Sequence, residues 1–131
     1  MALVVPNSAE DMALKAWLNH TAQGENQLLR LYVNDITPSE TDSTATFTAA
    51  AGGGYADIAL TGSSWVVSGG ASYAQQTFTF TGALTGNAII YGYLVIRATT
   101  LDIMWAERAA ASFQPAVNGD NVKITPAIGA D

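Results

Sequence analysis

Cysteine is absent from this 131-residue sequence, and histidine occurs once, at position 20. The two shortages exclude disulfide staples, thiolate metal sites, Cys–His pairs and multi-histidine centres, and they leave any Ser–His–Asp triad dependent on His20 alone. At the end of an expected helix, His20 reads as a solvated cap or as a cation on the helix dipole. Positive charge is also scarce. Five basic residues, Lys15, Arg30, Arg97, Arg108 and Lys123, are spaced singly against eleven acids, giving a net charge of −6. No basic stripe can neutralise phosphates, so nucleic acid is not an expected partner. Long apolar runs are missing as well. Nothing approaches the roughly 20 residues of a membrane span, and "MALVVPNSAEDM" lacks a positive n-region and breaks at Pro6, which argues against a signal peptide. The expectation is a protein made in a cytoplasm that stays soluble or assembles, with no membrane partner.

What is present is apolar and small. Hydrophobic residues make up 49% of the chain and charged residues 12%, about half the charged share usual for a soluble domain. The length suits one domain with a real core. A surface so poor in charge leaves apolar area exposed on a lone monomer, and such area commonly marks an interface, so a homo-oligomer or docked component is expected.

The period of the apolar residues divides the chain into an arm over 1–7, a helix over 8–20 and a β-body over 28–128. Asn7 or Ser8 can cap the helix, and Ala9, Met12, Ala13, Ala16 and Trp17 recur on one helical face. After Gly24 the period becomes two. "QLLRLYVND" places Leu29, Leu31 and Val33 on one side of a strand and Leu28, Arg30 and Tyr32 on the other. Residues 39–46 read as a loop, "TFTAA", "YADIAL" and "SSWVVS" as short strands, and "SGGAS" as a turn. "QQTFTFTG" alternates as a half-buried strand, with Gln76, Phe78 and Phe80 on one face. "NAIIYGYLVIR" is apolar on both faces, as a central strand is, with "LDIMWAERA" as its neighbour. "NGD" at 118–120 turns into a last strand, "VKITPAI". The fold class predicted is mainly β: an antiparallel β-sandwich or barrel-like domain with one N-terminal α-helix.

Chemistry finds little footing. No serine lies in a G-x-S-x-G elbow, and Gly52-Gly53-Gly54 carries no lysine and opens no helix, so it reads as a bend rather than a phosphate cradle. "DSTAT" and "NGDN" lack the ligand density of a calcium loop and read as turns. Asp35, Glu40, Asp42, Asp57, Asp102 and Glu107 could pair as in a glycosidase, but no spacing selects a pair. No catalytic, cofactor-binding or metal residue is assigned, and no enzyme is expected.

The densest cluster of polar and aromatic groups is "YGYLVIRATTLDIMWAERA", residues 91–109. A hairpin centred on Thr99-Thr100 pairs Arg97 with Asp102, Val95 with Met104, Tyr93 with Ala106 and Tyr91 with Arg108 on one face. The other face joins Ile96 to Ile103, Leu94 to Trp105 and Gly92 to Glu107. Cross-strand pairs of this kind contribute about 0.2 to 1 kcal/mol each, so Arg97, Asp102 and Arg108 read as register markers. A carboxylate on an apolar face needs a donor. Glu107 is therefore predicted to be a structural anchor, with Arg30 or Arg108 as partner.

The ordered run "VPN", "LLRLYVNDITP", "GGYA", "SYAQQTFTFTG", "IYGYLV", "MWAERA" and "NGDNVKITP" resembles a family of small virion structural proteins of tailed bacteriophages over nearly the whole chain. It departs from that pattern at "AAAGGG", 49–54. The resemblance implies a virion component without known activity or catalytic residues. Its expected setting is that of a capsid decoration or cement protein bound to the major capsid protein, with a trimer suggested by threefold capsid sites. A tail or fibre module binding a host glycan, or a head-to-tail connector component, is the alternative. Candidate contacts with the capsid or another subunit are Leu3, Val4 and Val5 of the arm and Trp17 of the helix. Pairing of the arm as an edge strand of its own domain is the competing expectation.

Overall fold

In the computed structural model the described residues are 2–6, 9, 26–67 and 70–129. They form ten strands: β1 (Ala2–Val4), β2 (Gln27–Tyr32), β3 (Ile58–Leu60), β4 (Val66–Val67), β5 (Gly70–Ser72), β6 (Gln76–Thr79), β7 (Ile90–Arg97), β8 (Ile103–Phe113), β9 (Asn121–Ile124) and β10 (Ala127–Gly129). A five-stranded antiparallel sheet has the order β1-β8-β7-β2-β3, and two smaller sheets have the orders β10-β5-β4 and β6-β9. The protein is thus mainly β. Among the described residues no sheet closes into a barrel and no α-helix reaches seven residues. The helix expected over 8–20, with Trp17 and His20, lies outside the described residues apart from Ala9.

The central position of β7 follows from its sequence. Leu94, Val95 and Ile96 are fully buried in succession, so both faces of the strand are covered. Tyr93 and Val95 join Leu29, Leu31, Trp105, Phe78 and Phe80 in a core between the large sheet and β6, with Val122 and Ile124 of β9 packed against it. Leu94 and Ile96 join Tyr32, Ile103, Ala106 and Phe47 in a second core on the opposite face. The loop at 33–50 closes that second core. Thr48 O accepts from Val33 N at 2.9 Å and Leu31 O from Ala50 N at 3.0 Å, while Asn34 Oδ1 takes the Thr48 N–H at 2.8 Å.

Several expectations change. "TFTAA" follows a 3-10 turn at Thr44–Thr46 and makes a single bridge, Tyr32 to Ala49, rather than a strand, because its backbone groups are used by the loop. Of "SGGAS", expected as a turn, Gly70–Ser72 form strand β5, with Ala71 opposite Ile128 and Val67, while residues 68 and 69 lie outside the described residues. The last strand is split by Thr125-Pro126, since proline supplies no N–H to a ladder, and its two halves enter different sheets. The triple glycine is a bend, as expected. Gly52, Gly53 and Gly54 all have positive φ, and a Cβ on Gly53 would lie 2.7 Å from Gly82 O.

The register of the β7–β8 hairpin also departs from the symmetric one. Ile96 faces Ile103 as expected, but Met104 is an extra residue. Beyond it Val95 faces Trp105, Leu94 faces Ala106, Tyr93 faces Glu107 and Gly92 faces Arg108. Strict alternation would put Ile103 and Trp105 on one face, yet Ile103 belongs to one core and Trp105 to the other. A bulge lets both large apolar side chains be buried.

Candidate functional site: a carboxylate cavity at the sheet edge

The corrected register creates a row across four strands: Leu3 on β1, Glu107 on β8, Tyr93 on β7 and Leu31 on β2. Facing Tyr93 directly, Glu107 Oε2 accepts the tyrosine hydroxyl at 2.5 Å. Neither cation expected to hold Glu107 does so. Arg30 has Leu94 opposite it and bonds Asp57 through Nε at 3.1 Å and Nη2 at 2.8 Å, and the Tyr55 hydroxyl donates to the same carboxylate at 2.6 Å. Arg108 points to the other face. There Nη2 donates to Asp35 Oδ1 at 2.6 Å, Nη1 to Ile36 O at 2.8 Å, and the guanidinium lies 5.4 Å from the Tyr91 ring centre. The expected contact of Tyr91 with Arg108 is therefore present, although the backbone partner of Arg108 is Gly92.

Burial, and then the bond to Glu107, push the Tyr93 hydroxyl far above the usual tyrosine pKa, so it is a fixed donor at neutral pH. The Trp105 indole and the Ala127 backbone N–H face the same oxygen and oppose part of that shift. The indole makes no hydrogen bond of good geometry, however, and its Nε1 is a buried donor without a partner among the described residues. Tyr93 and Glu107 lie in the wall of a cavity of about 360 Å3, completed by Leu3, Lys123, Ile124, Thr125 and Ala127. Glu107 is half-buried, and among the described residues its second carboxylate oxygen has no hydrogen-bond partner. Among the described residues Lys123, which is exposed, forms no ion pair with Glu107 or with any other acid.

The remaining candidates serve local structure. Asp102 Oδ2 accepts from Thr100 Oγ1 at 2.7 Å, and the hairpin is closed by Arg97 N donating to Asp102 O at 2.9 Å. Asp42 caps Ser39 N at 2.7 Å. Asp120 holds the "NGD" turn by accepting from Ala116 N and Val117 N, and the Val117 and Ala116 bonds lower its carboxyl pKa. Of the glycosidase-type carboxylates, Asp35, Asp42, Asp57, Asp102 and Glu107 thus have separate local partners. Among the described residues no three of His, Cys, Asp and Glu converge where a metal ion could be held.

Of the arm, Leu3 and Val4 pair with Glu107 and Ala106 in β1, an edge strand of the protein's own sheet, and Val5 packs on the core. Leu3 remains 38% exposed. Sequence reasoning found Glu107 and its need for a donor, but missed Tyr93 as that donor, Lys123 as a wall residue and the Arg30–Asp57–Tyr55 cluster. The available signal for Tyr93 was the conflict between Ile103 and Trp105, which demands a bulge. Set beside family models, curated proteins and solved structures, the chain matches none of them.

Proposed function

We propose that this is a non-enzymatic structural protein of a bacteriophage virion, a decoration or cement protein that binds the assembled shell through the major capsid protein as a homo-oligomer. The reading starts from the ordered motifs that resemble small virion proteins. The structural observation that carries it is where the charged side chains go. Arg30, Asp57, Arg108 and Asp35 hold neighbouring strands and loops to one another, and Asp42, Asp102 and Asp120 hold turns. Such an arrangement makes a stiff β-body, which suits a protein whose work is to add contacts. On this reading the five-stranded sheet and β6–β9 form an open sandwich around the core that they share.

The alternative, a tail or fibre module binding a host glycan, draws support from the cavity beside β1, where an acid, a lysine and two hydroxyls meet apolar walls. A head-to-tail connector component is a third placement. Copy number in purified particles separates these readings. A decoration protein approaches the abundance of the major capsid protein, whereas tail and connector parts are present in about a dozen copies or fewer per particle by the closure of small cyclic assemblies. Gel densitometry at the lower figure overturns the cement reading.

A further inference from the structure

We propose that the cavity beside β1 is a joint between two copies of this chain, in which Lys123 of the partner subunit enters and pairs with Glu107, and reciprocally. The inference rests on the homo-oligomeric part of the reading above, and it follows from what the cavity leaves unmet.

Three features of one patch call for a partner. β1 ends the five-stranded sheet with no neighbour beyond it among the described residues, and its Leu3 is 38% exposed. A sheet edge with a bare apolar side chain is a template for another strand. Glu107 has one oxygen taken by Tyr93 and one open. Lys123 is the third feature. Arg30 and Arg108 are held by Asp57 and Asp35, and Arg97 also has a partner, whereas Lys123 forms no ion pair among the described residues although it shares the cavity with Glu107.

An acid and a base that line the same cavity without meeting each other form a self-complementary patch. Rotated by a twofold axis, each finds its opposite on the other copy. A threefold ring would instead set two different patches of each copy against one another, so a single shared cavity points to a twofold pair. The aliphatic stem of the entering lysine would lie against Leu3, Ile124 and Ala127, which are apolar walls of the right character for it. Tyr93 fixes the carboxylate in advance, so little side-chain freedom remains to be lost at Glu107 on association.

Sedimentation of the purified chain over a concentration series tests this with charge swaps. Wild type is expected to dimerise. Glu107→Lys and Lys123→Glu, each alone, are expected to weaken the dimer by about tenfold or more, because each sets like charges together at both joints. Mixing the two variants restores both pairs and is expected to recover a heterodimer. A pair formed within one chain would instead be restored only in the double variant, never in the mixture. Because Glu107→Lys can disturb Tyr93, Lys123→Glu, whose side chain is exposed, carries the result if Glu107→Lys fails to fold; mixed with Glu107→Gln it should recover part of the association, because the heterodimer keeps one Glu107–Lys123 pair and sets no like charges together at the other joint. A monomeric wild type, a dimer indifferent to Lys123→Glu, or swaps without recovery on mixing of two folded variants overturns the joint. Particle copy number, which does not depend on these residues, tests the virion reading separately.

Discussion

Glu107 and Arg108 are neighbours on one strand and face opposite ways, and the two faces treat charge differently. On the Arg108 face a long loop folds over the sheet, so the guanidinium finds a carbonyl, a carboxylate and an aromatic ring, all brought by residues 35, 36 and 91. Tyr32 lies close over Gly92 on the same face, and its hydroxyl donates to Ile36 O at 3.3 Å. On the Glu107 face the small sheets cover Trp105 and Tyr93 but stop short of the edge, leaving a carboxylate with one donor and an open oxygen. One strand thus supplies closure on one side and availability on the other. The difference lies in what covers each face, not in the strand.

The largest effect expected from breaking this contrast comes from Gly92→Ala. A Cβ there would meet Glu107 O and lie 2.6 Å from the Tyr32 ring and hydroxyl, so the loop-covered face must open or the ladder must shift. Urea denaturation should show a loss of about 3 kcal/mol or more, at the upper end for overpacking. A loss below about 1 kcal/mol would mean that the closed face yields easily.

Tyr93→Phe comes next. It removes the hydrogen bond to a half-buried carboxylate and should cost about 1.5 to 3 kcal/mol by the same measurement. Glu107→Gln keeps an acceptor for the Tyr93 hydroxyl and should cost about 1 kcal/mol or less. If the order is reversed, the anchor is the charge itself and not the bond, and the carboxylate has a second partner.

The smallest effect near neutrality, and the one that compares the faces directly, is alkaline. Burial raises the Tyr32 pKa to about 12 and raises that of Tyr93 further. Since the unfolded chain releases these protons at about pH 10, the stability they give is complete below that pH. It falls as pH rises through 10 to 12 and beyond. Tyr32→Phe should flatten the decline between pH 10 and 12, and Tyr93→Phe should flatten it at higher pH. Identical pH curves for the two variants would remove the distinction between the faces.

Much of the β-body was legible because burial imposes a period. Gln76, Phe78 and Phe80 alternate, and the two phenylalanines are buried as the pattern requires. β7 reads as central because Leu94, Val95 and Ile96 leave no polar face. The register of β8 was not legible by pairing charges, since the bulge at Met104 moves the partners of Val95 through Gly92 by one, and a bulge carries no marker residue of its own. What could have located it was packing: Ile103 and Trp105 are both too large and apolar to be left outside, and two faces are needed to bury both. Arg30 and Asp57 were unreadable for a different reason. Arg30 lies on β2 and Asp57 just before β3, and the long irregular loop between them has no turn geometry that fixes the register in advance. The sheet β10-β5-β4 has strands of two or three residues, too short for any period to appear.

The place of β1 has a consequence for biosynthesis. Ala2 leaves the ribosome long before its ladder partner, Arg108. The five-stranded sheet therefore cannot be completed until β8 has emerged. β2, β3 and β7 can associate as they emerge, β8 closes its hairpin on β7 within a short loop, and only then does the waiting N-terminal strand find its edge. Until that moment the outer edge of β8 is bare, and another nascent copy of the same chain offers it an equivalent strand.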